Sequence, residues 1–114
     1  MIRNNILENT FFGIYAQYAV NCTIEKNILA AYNKEEQQSG NGIHCWKADS
    51  MRIIANTISG HRDGIYFEFA KHCLIRKNYC RNNFRYGLHF MFSDNDTYVE
   101  NTFDNNGTGV AVMY

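Results

Sequence analysis

Proline is absent from the 114 residues, so every residue after the first keeps a backbone N–H able to donate to a neighbouring strand. No apolar run approaches the roughly 20 residues that a membrane-spanning helix needs. Charge of one sign is missing as well: 11 basic and 11 acidic residues are interspersed and sum to zero, which excludes both a nucleic-acid groove and an acidic tail as the dominant feature. Cysteine is sparse, with four residues, too few for a disulfide-dense extracellular module. What the chain has in quantity is apolar residues, 46% of the total, and aromatics, with eight Tyr, eight Phe and one Trp. That is more aromatic surface than a core of this size needs, which points to outward aromatics with a binding role.

One short pattern returns five times. Asn5, Asn27, Asn56, Asn78 and Asn101 are each followed by a Gly-aliphatic pair at Gly13, Gly42, Gly64, Gly87 and Gly109. The step from each Gly to the next Asn is always 14 residues, and the step from Asn to Gly is 8 or 9 except once, where it is 15. A unit of about 22 residues is a solenoid period. The expected fold is therefore all-β, a right-handed parallel β-helix of about five coils over residues 1–114. Both ends of the chain fall inside coils with no polar capping unit, so the sequence reads as a piece of a longer solenoid.

Stacked coils place equivalent residues in columns about 4.8 Å apart, with alternate residues pointing in and out. Four columns are almost wholly apolar and form the expected core. They are Ile2, Ile24, Ile53, Ile75 and Tyr98; Leu7, Leu29, Ile58, Cys80 and Phe103; Ile14, Ile43, Ile65, Leu88 and Val110; and Ala16, Cys45, Phe67, Phe90 and Val112. Interleaved with the last two are Tyr15, His44, Tyr66, His89 and Ala111, then Gln17, Trp46, Glu68, Met91 and Met113, which are expected to face solvent. The asparagines Asn5, Asn27, Asn56, Asn78 and Asn101 are expected to form a structural ladder at a corner, where Asn tolerates the left-handed conformation and its amide bonds to the coils above and below. The glycines at the strand starts are expected to supply backbone freedom.

Cys22, Met51 and Cys73 share a column, but the two thiols lie two coils apart, roughly 10 Å, too far for a disulfide. Free thiols in a packed corner are the expected state. Residues 33–41, entirely polar, form a loop inserted at one corner, where solenoids often place residues that flank a binding face.

On the outward face His89 and Met91 lie two residues apart on one strand, about 7 Å between backbones, with Glu68 and Met113 on the coils either side of Met91. Imidazole with thioether suits copper, because the thioether is a soft ligand that favours Cu(I). His44 is two coils from His89 and reaches the same ion only by leaning across Tyr66. The competing reading of the same residues is that the methionines cover an apolar sheet face and the histidines are ordinary exposed residues.

The stretches Asp63-Gly-Ile-Tyr-Phe-Glu-Phe69, Arg85-Tyr-Gly-Leu-His-Phe-Met-Phe-Ser93 and Asn106-Gly-Thr-Gly-Val-Ala-Val-Met-Tyr114 resemble the repeat region of the NosD family, periplasmic β-helix proteins of nitrous oxide reductase maturation. The distinctive resemblance covers residues 60–114. It implies a soluble periplasmic scaffold, not an enzyme, that works with an ABC-type ATPase and membrane subunit and with a copper chaperone, and helps deliver copper to nitrous oxide reductase. Carried onto this chain, the implied metal residues are His89, Met91, Met113 and Glu68, with His44 nearby. Two alternatives stand beside it. A polysaccharide lyase, hydrolase or epimerase needs clustered carboxylates, whereas this face offers Glu68 alone and places Asp63, Asp94, Asp96 and Asp104 at corners. A glycan or protein binder would use Tyr15, Trp46 and Tyr66 as an aromatic strip.

Overall fold

The computed structural model describes all residues, 1–114. Fifteen short strands build three five-stranded sheets, and every strand pairs in parallel with the equivalent strand of the coils beside it. The chain is thus a parallel β-solenoid of five coils. The first sheet stacks Ile2–Arg3, Thr23–Glu25, Arg52–Ile54, Leu74–Arg76 and Thr97–Val99. The second stacks Ile6–Glu8, Ile28–Ala30, Thr57–Ser59, Tyr79–Arg81 and Thr102–Asp104. The third, which has the longest strands, stacks Ile14–Gln17, Ile43–Trp46, Asp63–Glu68, Tyr86–Met91 and Thr108–Met113.

Register follows the columns residue for residue. Ile24, Ile53 and Ile75 are paired, as are Leu29, Ile58 and Cys80, and Ile43, Ile65 and Leu88. All nine are fully buried, because each has a coil above and below it. The first of these columns ends in exposed apolar residues in the outer coils, Ile2 and Tyr98.

The corner is built differently from the expectation in one respect. The ladder asparagines are not themselves left-handed. The positive φ, 55–58°, belongs to the residue before each of them: Asn4, Lys26, Ala55, Lys77 and Glu100. Division of labour explains this. The residue taking the kink points outward, so its type is free to vary, while the following Asn turns its amide inward. There each side-chain oxygen accepts two bonds from the preceding coil's asparagine, as in Asn56 N–H and Asn56 Nδ2 to Asn78 Oδ1 at 2.9 and 3.0 Å. A second, shorter ladder runs five residues further on, where Asn83 Nδ2 donates to Asn106 Oδ1 at 2.9 Å and the His61 N–H donates to Asn83 Oδ1 at 3.0 Å.

The strand-start glycines also have a different role from the expected one. Gly13, Gly42, Gly64 and Gly87 do not have positive φ; only Gly60 does, at 75°. They are glycine because the coils approach too closely for a Cβ. One added to Gly64 would sit 2.7 Å from the carbonyl oxygen of Gly87, and one on Gly42 2.6 Å from that of Gly64. Gly64→Ala is therefore expected to cost about 1–3 kcal/mol in a denaturant titration, as overpacking against backbone does. Gly109→Ala, with its nearest atom at 3.7 Å, is the near-neutral control.

Candidate functional site

The outer face of the third sheet carries a groove of about 410 Å³. It is lined by His89, Met91 and Met113 of the third sheet and by Ser39, Gly40 and Asn41 from the polar excursion between the second and third sheets. That excursion contains one short helical turn, Glu36–Gln38, and its returning arm is pinned where the Gly40 N–H donates to Phe11 O and the Arg62 N–H to Gly40 O. Three of its residues, Ser39, Gly40 and Asn41, are buried.

His89 points to the outer face but is not solvent-facing. It is only 3% exposed, because the rings of Tyr66 and Tyr86 close over it edge-on at 5.1 and 4.6 Å. Strand alternation fixes which side a residue points to, and the height of its neighbours decides whether water reaches it. Asp63 is a second correction. It does not sit at a turn satisfying local backbone; it begins the Asp63–Glu68 strand and is completely buried. Arg85 clamps its carboxylate through Nε and an Nη at 3.1 and 2.9 Å, the Tyr86 N–H donates to it at 3.4 Å, and His89 Nδ1 lies 3.1 Å from Oδ2. The Asp63 carboxylate holds the Arg85 guanidinium above its already high range. On the far side of the imidazole, Nε2 is buried with no hydrogen-bond partner.

Register places Met91 between Glu68 and Met113. His89, Met91 and Met113 all line the groove; Glu68 does not. Its neighbours are Trp46, across the strand pair, and Tyr66, whose hydroxyl is pushed up to about 12, first by burial and then by the Glu68 charge. His44 also lines the groove, but the Tyr66 ring stands between it and His89. It stacks on Tyr15 at 4.6 Å, its Nδ1 is 3.0 Å from the Asn41 amide nitrogen, and burial pushes its pKa down. The aromatics do not form one strip. Tyr15 and Tyr66 sandwich His44, whereas Trp46 lies in the neighbouring column beside Tyr18 and under the Lys47 ammonium at 4.7 Å.

No three His, Cys, Asp or Glu side chains converge as a metal-binding group. A site on this face consequently depends on thioether sulfur. The residues present fit a soft cation: one imidazole nitrogen with nothing else to bond, and two methionines lining the same groove, Met91 on the strand of His89 and Met113 on the next. The cysteines do not. Cys45, Cys73 and Cys80 are buried free thiols whose pKa burial pushes up, to about 12 for Cys73 and Cys80, which disfavours the thiolate that would bind a metal. Nor does the face offer an acid and base pair, because Asp63 is neutralised by Arg85 and does not reach the groove.

His61, beneath the excursion, is fully buried. Both its ring nitrogens lack hydrogen bonds, facing the carbonyls of Gly40 and Phe11 without bonding geometry. Burial pushes its pKa below the usual 6.5, so the unfolded chain binds this proton more tightly than the folded one. The stability it contributes is full above pH 6.5 and is lost as pH falls toward the folded-state pKa. Urea midpoints measured at pH 7.5, 6.5 and 5.5 are expected to decrease in that order, and His61→Gln is expected to flatten the trend.

The fold and its single grooved face put the chain among parallel β-solenoid proteins that present their side chains on one flat sheet. Residues 30–114 match the NosD family model, described as a periplasmic copper-binding protein, and the chain belongs to that family. No match was found among curated proteins or among solved structures. No helix is long and apolar enough to cross a membrane.

Proposed function

We propose that this chain is a copper-handling scaffold that holds Cu(I) on the third-sheet face and helps deliver it to nitrous oxide reductase during maturation, in concert with an ABC-type ATPase and membrane subunit. Copper is cargo here, received from a copper chaperone and passed on. His89 Nε2 and the sulfurs of Met91 and Met113 hold it, while Glu68 supplies negative charge beside Met91 and His44 lines the same groove.

The observation that carries this reading is the unpartnered, buried His89 Nε2 on a residue that lines one groove with two thioethers. A buried nitrogen lone pair is costly unless it is used. Thioethers add little to a hydrogen-bonded site but bind Cu(I) well. A partly open groove, with Met113 37% exposed, suits a carrier that must release its ion.

Anaerobic titration with Cu(I) against a competing chelator is expected to give one equivalent bound, with Cu(II) held far more weakly. Incubating the loaded protein with apo nitrous oxide reductase and the transporter subunits then tests delivery. A folded chain that takes up no Cu(I) would end the proposal.

A further inference from the structure

Building on the copper reading, we infer that Asp63 is a positioning residue: it fixes His89 in the Nδ1–H tautomer, so that Nε2 carries the free lone pair. An ionised carboxylate only accepts hydrogen bonds. Asp63 takes two from the Arg85 guanidinium and one from the Tyr86 amide, at 3.1, 2.9 and 3.4 Å, so it is the acceptor in all three contacts. The 3.1 Å contact from its Oδ2 to His89 Nδ1 therefore requires the proton on Nδ1. In the neutral imidazole Nε2 is then bare.

Nothing else in the protein competes for that nitrogen, since Nε2 has no partner and the ring is held between Tyr66 and Tyr86. The ring cannot swing to exchange its nitrogens without breaking the Asp63 bond. An unconstrained imidazole in water prefers the opposite tautomer, with the proton on Nε2, which cannot ligate through that atom. Asp63 thus does for this histidine what an outer carboxylate does for a ligand imidazole generally: it sets the tautomer and the ring's aim. Arg85 completes the relay by holding the Asp63 carboxylate in place through two hydrogen bonds. The Arg85 Nε also lies 4.0 Å from Glu36 Oε1, which connects the relay to the excursion.

The test is a long-range ¹H–¹⁵N correlation spectrum of the metal-free, ¹⁵N-labelled protein at neutral pH, with His89 assigned by its loss in His89→Ala. Protonated Nδ1 and unprotonated Nε2 are the expected pattern. Asp63→Asn is expected to move His89 toward the Nε2–H form and to weaken Cu(I) binding about 10–100-fold. An Nε2–H or doubly protonated ring in the wild type overturns the inference, as does Asp63→Asn with an unchanged tautomer. If Asp63→Asn does not fold, the wild-type spectrum decides alone. The expected tautomer in a protein that binds no copper would uphold the role of Asp63 and sink the copper reading, so the two failures are separable.

Discussion

His89→Ala is expected to lose stoichiometric Cu(I) binding, a drop of at least about 100-fold in affinity, equivalent to about 2.8 kcal/mol. Among the groove residues His89 alone has a ring nitrogen both buried and unpartnered, so no neighbour can take over its role. The methionines are different. Met91→Ala and Met113→Ala each remove one of two thioethers, and each is expected to weaken binding by a smaller factor than His89→Ala. His44→Ala is the informative control. The Tyr66 ring separates His44 from His89 and its Nδ1 is engaged by Asn41, so its loss is expected to change affinity little. Chelator competition on all four variants, with circular dichroism to confirm the fold, checks the ranking. If His44→Ala were the most damaging, the ion would sit on the excursion side of the groove.

The second large effect is structural. Asn78→Ala removes four hydrogen bonds together, three of them buried: two accepted from Asn56, one donated to Asn101 Oδ1 at 3.0 Å and one to Ile53 O at 2.9 Å. It leaves the Asn56 N–H without its acceptor, while Asn101 Oδ1 keeps only the bond from the Asn78 backbone N–H. At about 1–3 kcal/mol for a buried group left unsatisfied, a total loss of roughly 3–5 kcal/mol is expected after local relaxation. That is a large share of the 5–15 kcal/mol typical of a domain. Because coils contact only their neighbours, the lesion is also expected to divide the solenoid, lowering the denaturant slope as well as the midpoint. Asn5→Ala provides contrast. Asn5 is exposed and ends the ladder, so its loss is expected to cost about 1 kcal/mol or less.

The solenoid was legible because repetition states the same constraint five times. A column such as Ile24, Ile53 and Ile75 identifies an inward position without any knowledge of the corners. The corner details were not legible in the same way. The left-handed residues Asn4, Lys26, Ala55, Lys77 and Glu100 share a conformation and no chemistry, so only their place before the ladder marks them. The glycine column was visible, but its cause, a carbonyl one coil away, is a distance that sequence does not carry.

At the candidate site, His89, Met91 and Met113 were found from spacing, and the structure brings them to one groove. Asp63 was missed for a definite reason. Its column reads Phe12, Asn41, Asp63, Tyr86 and Thr108, five unlike residues, and its partners Arg85 and His89 come from the next coil, 22 and 26 residues away. Sites on a solenoid are where columns stop repeating, and a search for repetition passes over them. A signal was present all the same: a carboxylate directly before the Gly of one coil and an Arg two residues before the Gly of the next put opposite charges one strand apart.

X-ray absorption at the copper edge on the Cu(I)-loaded protein tests the central claim most directly. The account predicts a first shell of one imidazole nitrogen and two thioether sulfurs, with the nitrogen contribution absent in His89→Ala. A shell of thiolate sulfur alone, or one that His89→Ala leaves unchanged, would contradict it and move the ion to the cysteines of the core.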